Sequence, residues 1–449
     1  MKDFTQGNET NLILRFSAPM VLGSLFQNLY SIIDSIIVGN VIGKEALAAV
    51  AASFPIIFTL ISLVIGVGSG ASTVVSQYFG AKDYSSVKKT IDTIYIFFLI
   101  AGIIIAIIGN LFSEEIFRLL RLPEEVMPDA LTYLNIYLLG MIFFFGFNGT
   151  TSVLRGMGDS KTPLRFMIIA VVNNIILDLL FIVVFKWGIA GAAWATIIAH
   201  AGAFISAALY LNRTHTIIRF RIRNINFDRE IFKSCVRIGL PTGLQQSAVA
   251  LGMMFIMGIV NSFGTNATAA YGVAMRIDSF AKMPAMTFSS ALSSFVGQNL
   301  GAFKEDRAKK GFKSTLIISG VYCIIATILI VLTGEFLMRL FTPDEAVIQI
   351  GMDYLIIVSS FYILFSMMFS FYGVLRGAGA TLIPMLITIL SLWVIRIPLT
   401  EILSNKMGVN GIFWALPVSW LIGVVCAWIY YLKGNWKDNV IIPQPGNSK

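Results

Sequence analysis

Few ionisable residues interrupt the apolar stretches of this sequence, and those few define the chemistry it can do. Asp34 lies in the first stretch, with Gly23, Gln27, Tyr30 and Ser31 on a neighbouring stripe at helical spacing. Asp178 lies in the fifth, and Asn174 precedes it by one helical turn, so the two side chains can converge on one ligand. Thr196 belongs to the sixth stretch, and Tyr133 and Tyr137 to the fourth. Carboxylate, amide and hydroxyl oxygens together suit a hard cation. Two carboxylates in a poorly solvated site instead need a proton to offset their repulsion. The same residues serve both chemistries, with sodium held at Asp34, Asn174, Asp178 and Thr196 or a proton held by the acids. The alternative is that these acids only bridge helices, since embedded polar groups stabilise helix packing modestly.

The elements that carry them must be membrane helices. Of 449 residues, 57% are hydrophobic and 13% charged, and the mean hydropathy is +0.81. Apolar runs long enough to cross roughly 30 Å of hydrocarbon recur along the whole length. Twelve are predicted, at 14–39, 46–76, 91–112, 131–154, 163–185, 188–211, 235–261, 268–297, 314–335, 350–375, 381–403 and 409–432. They lack the polar–apolar alternation of barrel strands, so the predicted fold is all-α, a polytopic membrane protein. The first run has too little of a cleavage site to be a removed signal peptide and is expected to be retained. In a span, an ionisable residue is a functional candidate by default, because its burial in lipid is costly.

The net charge of +9 encodes orientation and not a nucleic-acid partner. With the N-terminus inside, Lys82, Lys88, Lys89, Arg219, Arg221, Arg223, Lys304, Arg307, Lys309 and Lys310 all fall on cytoplasmic loops. The outer loops keep only Lys44, Arg118, Arg121, Lys186, Arg339 and Lys406. That bias predicts a multi-pass protein of a cell (inner) membrane with both termini cytoplasmic. It also places Asp34 and Asp178 in the outer half of the membrane, with Thr196 about 12 Å below the outer start of its helix.

The chain repeats itself at an offset of 220 to 222 residues. Pro19 pairs with Pro241, Gly43 with Gly264, SQYFGA with GQNLGA around Gln77 and Gln298, LRGMG with LRGAG at Gly158 and Gly379, and GAAWA with GIFWA around Trp194 and Trp414. Six spans per repeat is an even number, so the two six-helix lobes are parallel and pseudo-symmetric. The expected organisation is a first lobe over 1–212, a basic linker over 213–234, a second lobe over 235–433 and a cytoplasmic tail over 434–449. Alternating access of the two lobes follows as an expectation. The acids are not repeated: Phe255 or Ile256 stands opposite Asp34, and Leu399 or Pro398 opposite Asp178.

These motifs, with Asp34 ahead of VGNVIGKEALAAV, then QYFGAKD, the paired LRGxG turns, NNIILD, GIAGAAWAT and GLPTGLQQS, occur in an order that resembles the multidrug and toxic compound extrusion (MATE) family of secondary transporters. The resemblance covers almost the whole chain. It implies a sodium- or proton-driven antiporter that exports small organic, mainly cationic, drugs and toxic compounds, without a cofactor and as a monomer in the lipid bilayer. It assigns Asp34, Asn174, Asp178 and Thr196, with Tyr133, to the coupling site. One branch of the family has acids in its seventh and tenth helices; here the seventh offers Gln245 and Gln246, so coupling through the first lobe fits better.

Gln27, Tyr137, Gln245, Gln246, Arg276, Asp278 and Lys282 are expected to line a substrate path or gate. For Arg276, Asp278 and Lys282 in the eighth span, pairing with another helix is an equal reading. Arg396 and Glu401 read as interfacial. His200 lies one turn beyond Thr196, where it either tunes the site or packs helices. Cys235, Cys323 and Cys426 are far apart, without metal-ligand spacing, and read as packing residues. GVGSG at 66–70 reads as close helix packing, because no nucleotide-loop lysine follows it. Rival functions are a flippase for lipid-linked precursors, which would call for a cationic cavity, and an integral-membrane enzyme. The latter has no H-E-x-x-H motif or recognisable nucleophile to build on.

Overall fold

A computed structural model describes residues 2–120, 122–214 and 226–442. Among them there is no strand; fifteen α-helices follow one another. They are α1 (Glu9–Ile37), α2 (Lys44–Gly80), α3 (Tyr84–Leu119), α4 (Met127–Leu139), α5 (Met141–Gly156), α6 (Lys161–Asp178) and α7 (Gly188–Thr214). The repeat continues with α8 (Arg229–Asn261), α9 (Thr265–Gly301), α10 (Glu305–Arg339), α11 (Glu345–Ser359), α12 (Tyr362–Ala378), α13 (Leu382–Ile389), α14 (Ile397–Met407) and α15 (Val409–Lys433). Three π-helical segments, Val38–Ile42, Leu179–Val184 and Leu390–Arg396, continue α1, α6 and α13.

Local chemistry sets the helix ends. Asp83 caps α3 by accepting from the Ser86 N–H at 3.0 Å, and Asp344 caps α11 by accepting from the Ala346 N–H at 2.9 Å. Gly43 and Gly264, a pair in the sequence repeat, both turn the chain at positive φ (126° and 91°) into the next helix, a conformation that favours glycine. The fourth span of each repeat is bent by 50°, at α4 to α5 and at α11 to α12. The duplication therefore reaches down to individual turns and bends.

Among the described residues, nine helices are long and apolar enough to cross a membrane, or eleven spans if each bent pair counts as one. The remaining expected span, at 268–297, is α9. At 37 residues it is about 55 Å long, ample for a crossing. Its Ser, Thr, Asn and Gln residues, with Arg276, Asp278 and Lys282, keep it less apolar than the others. Leu99, Ile100, Ile103, Ile104, Ile107, Ile108 and Leu111 on α3 all stand exposed, as lipid-facing residues do.

The chain divides into two compact units whose limits differ from the expected lobes. The first holds Ala18–Gly243; the second holds Asp3–Ser17 with Leu244–Lys449. Each unit thus takes in the start of a helix that continues into the other, α8 in the first case and α1 in the second. Long-range contacts decide this. In the second unit the Phe4 N–H donates to Gln298 Oε1 (2.9 Å), Lys304 Nζ donates to the Thr5 carbonyl (2.9 Å), and Arg307 donates to the Phe4 carbonyl (3.0 Å) and pairs with Glu9 (2.9 Å). In the first unit the Asp228 N–H donates to Thr93 Oγ1 (3.0 Å), and α8 lies so close to α2 that a Cβ on Gly70 would come within 2.2 Å of the Cys235 carbonyl. GVGSG is therefore helical and closely packed. Part of the expected linker, 215–225 with Arg219, Arg221 and Arg223, lies outside the described residues, as do Arg121 and 443–449 of the expected tail.

Candidate functional site

Within the first unit, α1 carries Asp34 and Tyr30, α4 carries Tyr133 and Tyr137, α6 carries Asn174 and Asp178, and α7 carries Thr196. These helices bring the side chains to one buried point. The carboxyls of Asp34 and Asp178 lie side by side, close enough to act on each other. Asp178 is wholly buried and Asp34 is 9% exposed. With its amide turned to suit these neighbours, Asn174 donates to Asp178 Oδ2 at 2.8 Å, and its oxygen accepts from the Thr196 N–H at 3.3 Å. The Tyr30 hydroxyl lies 3.4 Å from Thr196 Oγ1, and the Tyr133 and Tyr137 rings lie 5.9 Å apart, near enough to Asp34 to feel its charge. Tyr30 is the member that the sequence assigned only to a stripe; its i−4 relation to Asp34 was the available signal.

Both acids sit beside π-helical turns. Asp178 ends α6 and the π-helical segment Leu179–Val184 begins directly after it; Asp34 precedes Val38–Ile42 by four residues. Such wider turns frequently mark functional positions, because they re-aim side chains and loosen the backbone ladder. One oxygen of each acid, Asp34 Oδ1 and Asp178 Oδ1, is buried with no hydrogen-bond partner. Among the described residues no lysine, arginine or histidine pairs with either acid. Two carboxyls can share this site when a proton or a cation offsets their repulsion, and their oxygens, with those of Asn174 and Thr196, are of the kind a hard monovalent cation takes. No cluster of three or more His, Cys, Asp or Glu residues occurs among the described residues.

The residues expected on a substrate path separate into different environments. Gln27, Gln246 and Arg276 are exposed. Gln245 is buried inside the second unit, where its amide nitrogen donates to Thr388 Oγ1 (2.6 Å) and its oxygen accepts from Arg376 (2.7 Å). It links α8 to α12 and α13. Asp278 and Lys282 form an i, i+4 ion pair at 2.5 Å. Arg396 is also not interfacial: it is 5% exposed, its Nε and Nη2 have no hydrogen-bond partner, and it lies beside Tyr271. His200 packs edge-on against Phe144, with ring centroids 5.1 Å apart. Cys235 and Cys323 are buried and Cys426 is half-buried, all free thiols.

The sequence profile of the MatE family matches residues 19–180 and again residues 241–402. The chain belongs to the MatE family. Its two matches start 222 residues apart, at the spacing of the internal repeat, and each begins within one of the two unit-crossing helices. Among curated relatives, the probable multidrug resistance protein YpnP of Bacillus subtilis (strain 168) is 36% identical over 435 residues, 97% of each chain. The multidrug export protein MepA of Staphylococcus aureus (strain MRSA252) is 26% identical over 412 residues, 91% of this chain and 90% of that one. A solved outward-facing multidrug resistance MATE transporter of the MOP superfamily superposes with a TM-score of 0.90 at 25% identity, covering 97% of each chain. This MatE chain is therefore a multi-pass membrane transporter of the multidrug-efflux type, with the two-lobed fold of its relatives.

Proposed function

We propose that this transporter is an antiporter of a cell (inner) membrane that couples inward movement of sodium or protons to export of small organic cations. In this reading the chain works as a monomer by alternating access, with both termini cytoplasmic and no cofactor. The observation that carries it is the Asp34–Asp178 pair, a buried double carboxyl with one unpartnered oxygen on each acid and no counter-cation among the described residues. Such a pair alternates between protonated or cation-bound and empty states, and each state favours a different helix arrangement. Asn174 and Thr196 hold the pair in register, and Tyr133 and Tyr137 cover it. The names of the relatives, which refer to multidrug resistance and export, support an organic cargo.

The test is export of an organic cation, such as ethidium, from vesicles carrying the purified protein, with a sodium or a proton gradient imposed separately. Export with one gradient identifies the coupling ion; export with neither ends the antiporter reading. A second reading, transport of an anionic lipid-linked precursor, is favoured by Arg396, a buried guanidinium without a carboxylate partner among the described residues. Translocation of such a lipid in the same vesicles without any gradient effect would select it.

A further inference from the structure

The second unit buries a cation in a setting built for one. Asp278 is 1% exposed, and its two oxygens accept from Tyr362 (2.7 Å) and Tyr354 (3.0 Å). Its remaining partner is the ammonium of Lys282, at 2.5 Å. That ammonium lies over two aromatic faces, 5.3 Å from the Phe365 centroid and 5.5 Å from the Trp420 centroid. Four helices contribute: α9, α11, α12 and α15. An ammonium paired with a carboxylate and lying over two aromatic rings is the arrangement that recognises alkylammonium groups, with tryptophan the strongest of the ring donors.

We propose that Asp278, Phe365 and Trp420 form a binding subsite for the ammonium group of an organic cation, and that the Lys282 ammonium occupies it as a tethered stand-in until cargo displaces it. The inference rests on the proposed export of organic cations and adds the place where their charge is read. Exchange keeps the charge of the subsite constant, so the buried carboxylate never stands unpaired, the state that makes breaking such a pair costly. Lysine suits the part. Its charge is compact and sits on a flexible four-carbon stem, so it can withdraw without disturbing a bidentate fork as arginine would. Lys282 is 13% exposed, against 1% for Asp278, which leaves the stem a way out. Tyr354 and Tyr362 fix the carboxylate in place whichever cation is present.

The experiment is thermal unfolding of detergent-purified full-length protein in tetramethylammonium chloride, with sodium chloride at equal concentration as the control. Lys282→Met is expected to unfold at lower temperature than the parent, and tetramethylammonium is expected to restore it where sodium does not. Adding Asp278→Asn or Trp420→Leu to that variant is expected to abolish the rescue. Equal responses in all variants, or no rescue, overturns the proposal. If Lys282→Met cannot be purified, reductive methylation of Lys282 in the unaltered protein, followed by mass spectrometry, decides. Labelling rises several-fold with tetramethylammonium if cargo displaces the side chain, and an unchanged rate overturns the proposal. Gradient-driven export without rescue removes the subsite alone, whereas rescue without gradient-driven export removes the antiport reading alone.

Discussion

The first unit buries Asp34 against Asp178 with amide, hydroxyl and phenol neighbours, whereas the second buries Asp278 against Lys282 and sets Arg396 beside Tyr271. Both clusters lie inside helical bundles with the same 50° bend in the fourth span. The backbone was duplicated and the interior charge was not. The difference teaches that a shared scaffold leaves the polarity of its interior free. In the first unit no lysine or arginine is paired with either acid among the described residues, and the proposed coupling ion would supply the positive charge. In the second a lysine supplies it, and the cluster is neutral at Asp278 before any ligand arrives.

Breaking the comparison at its strongest point gives the largest effect. Asp34→Asn or Asp178→Asn is expected to bring coupled export in vesicles down to the level of protein-free vesicles while the protein still reaches the membrane. Leu399→Ala, at a corresponding place in the second half, should leave coupling intact. Full export in both acid variants would show that the two units do not differ in function. Next, Asp278→Asn leaves Lys282 without its carboxylate, and loss of about 3–5 kcal/mol is expected, read as a fall in unfolding temperature. Asp34→Asn removes repulsion and should not lower that temperature. Asymmetry of this sign distinguishes a structural pair from an ion site.

A smaller effect tests the packing that defines the first unit. Gly70→Leu places a side chain where even a Cβ would lie 2.2 Å from the Cys235 carbonyl, and about 1–3 kcal/mol of stability should be lost. The control is Gly272, in the corresponding span of the second half, where an added Cβ meets nothing within 4 Å. The smallest effect concerns helix caps. Asp83 caps α3, whereas the capping position of α10 is Lys304. The hydrogen bond from Ser86 holds the Asp83 carboxyl below its ordinary value. The folded form therefore binds the Asp83 proton less readily than the unfolded form. Its contribution is present above the unfolded value, near 4, and fades as pH falls through the lower folded one. Asp83→Ala should cost about 1 kcal/mol at neutral pH, and the difference from the parent should shrink in acid unfolding curves. Lys304→Ala should show no such convergence.

Much of this was legible in the linear chain because membrane helices announce themselves locally. A run of apolar residues, a glycine at a turn and a recurring motif each carry their own physics, and lipid forbids the open backbone that would allow other solutions. The Asp34, Asn174, Asp178 and Thr196 set was legible for the same reason: charge in lipid is rare enough to be conspicuous. The i, i+4 relation of Asp278 and Lys282 was also present in the spacing. It was obscured by Arg276, which is closer in sequence and points elsewhere.

What the sequence determined by itself is an all-helical, duplicated membrane chain whose Asp34 and Asp178 have no counterpart in the second half, because hydropathy, repeat spacing and residue type are properties of short segments. Only the tertiary structure decided that Asp34 and Asp178 lie side by side, that Arg396 is buried, that the Lys282 ammonium lies over two rings, and that the starts of α1 and α8 belong to the second and first units. Those outcomes depend on which helix faces meet, as when Gln298 takes the Phe4 N–H across 294 residues of chain. Such meetings follow from the packing of all the helices at once and from no segment alone.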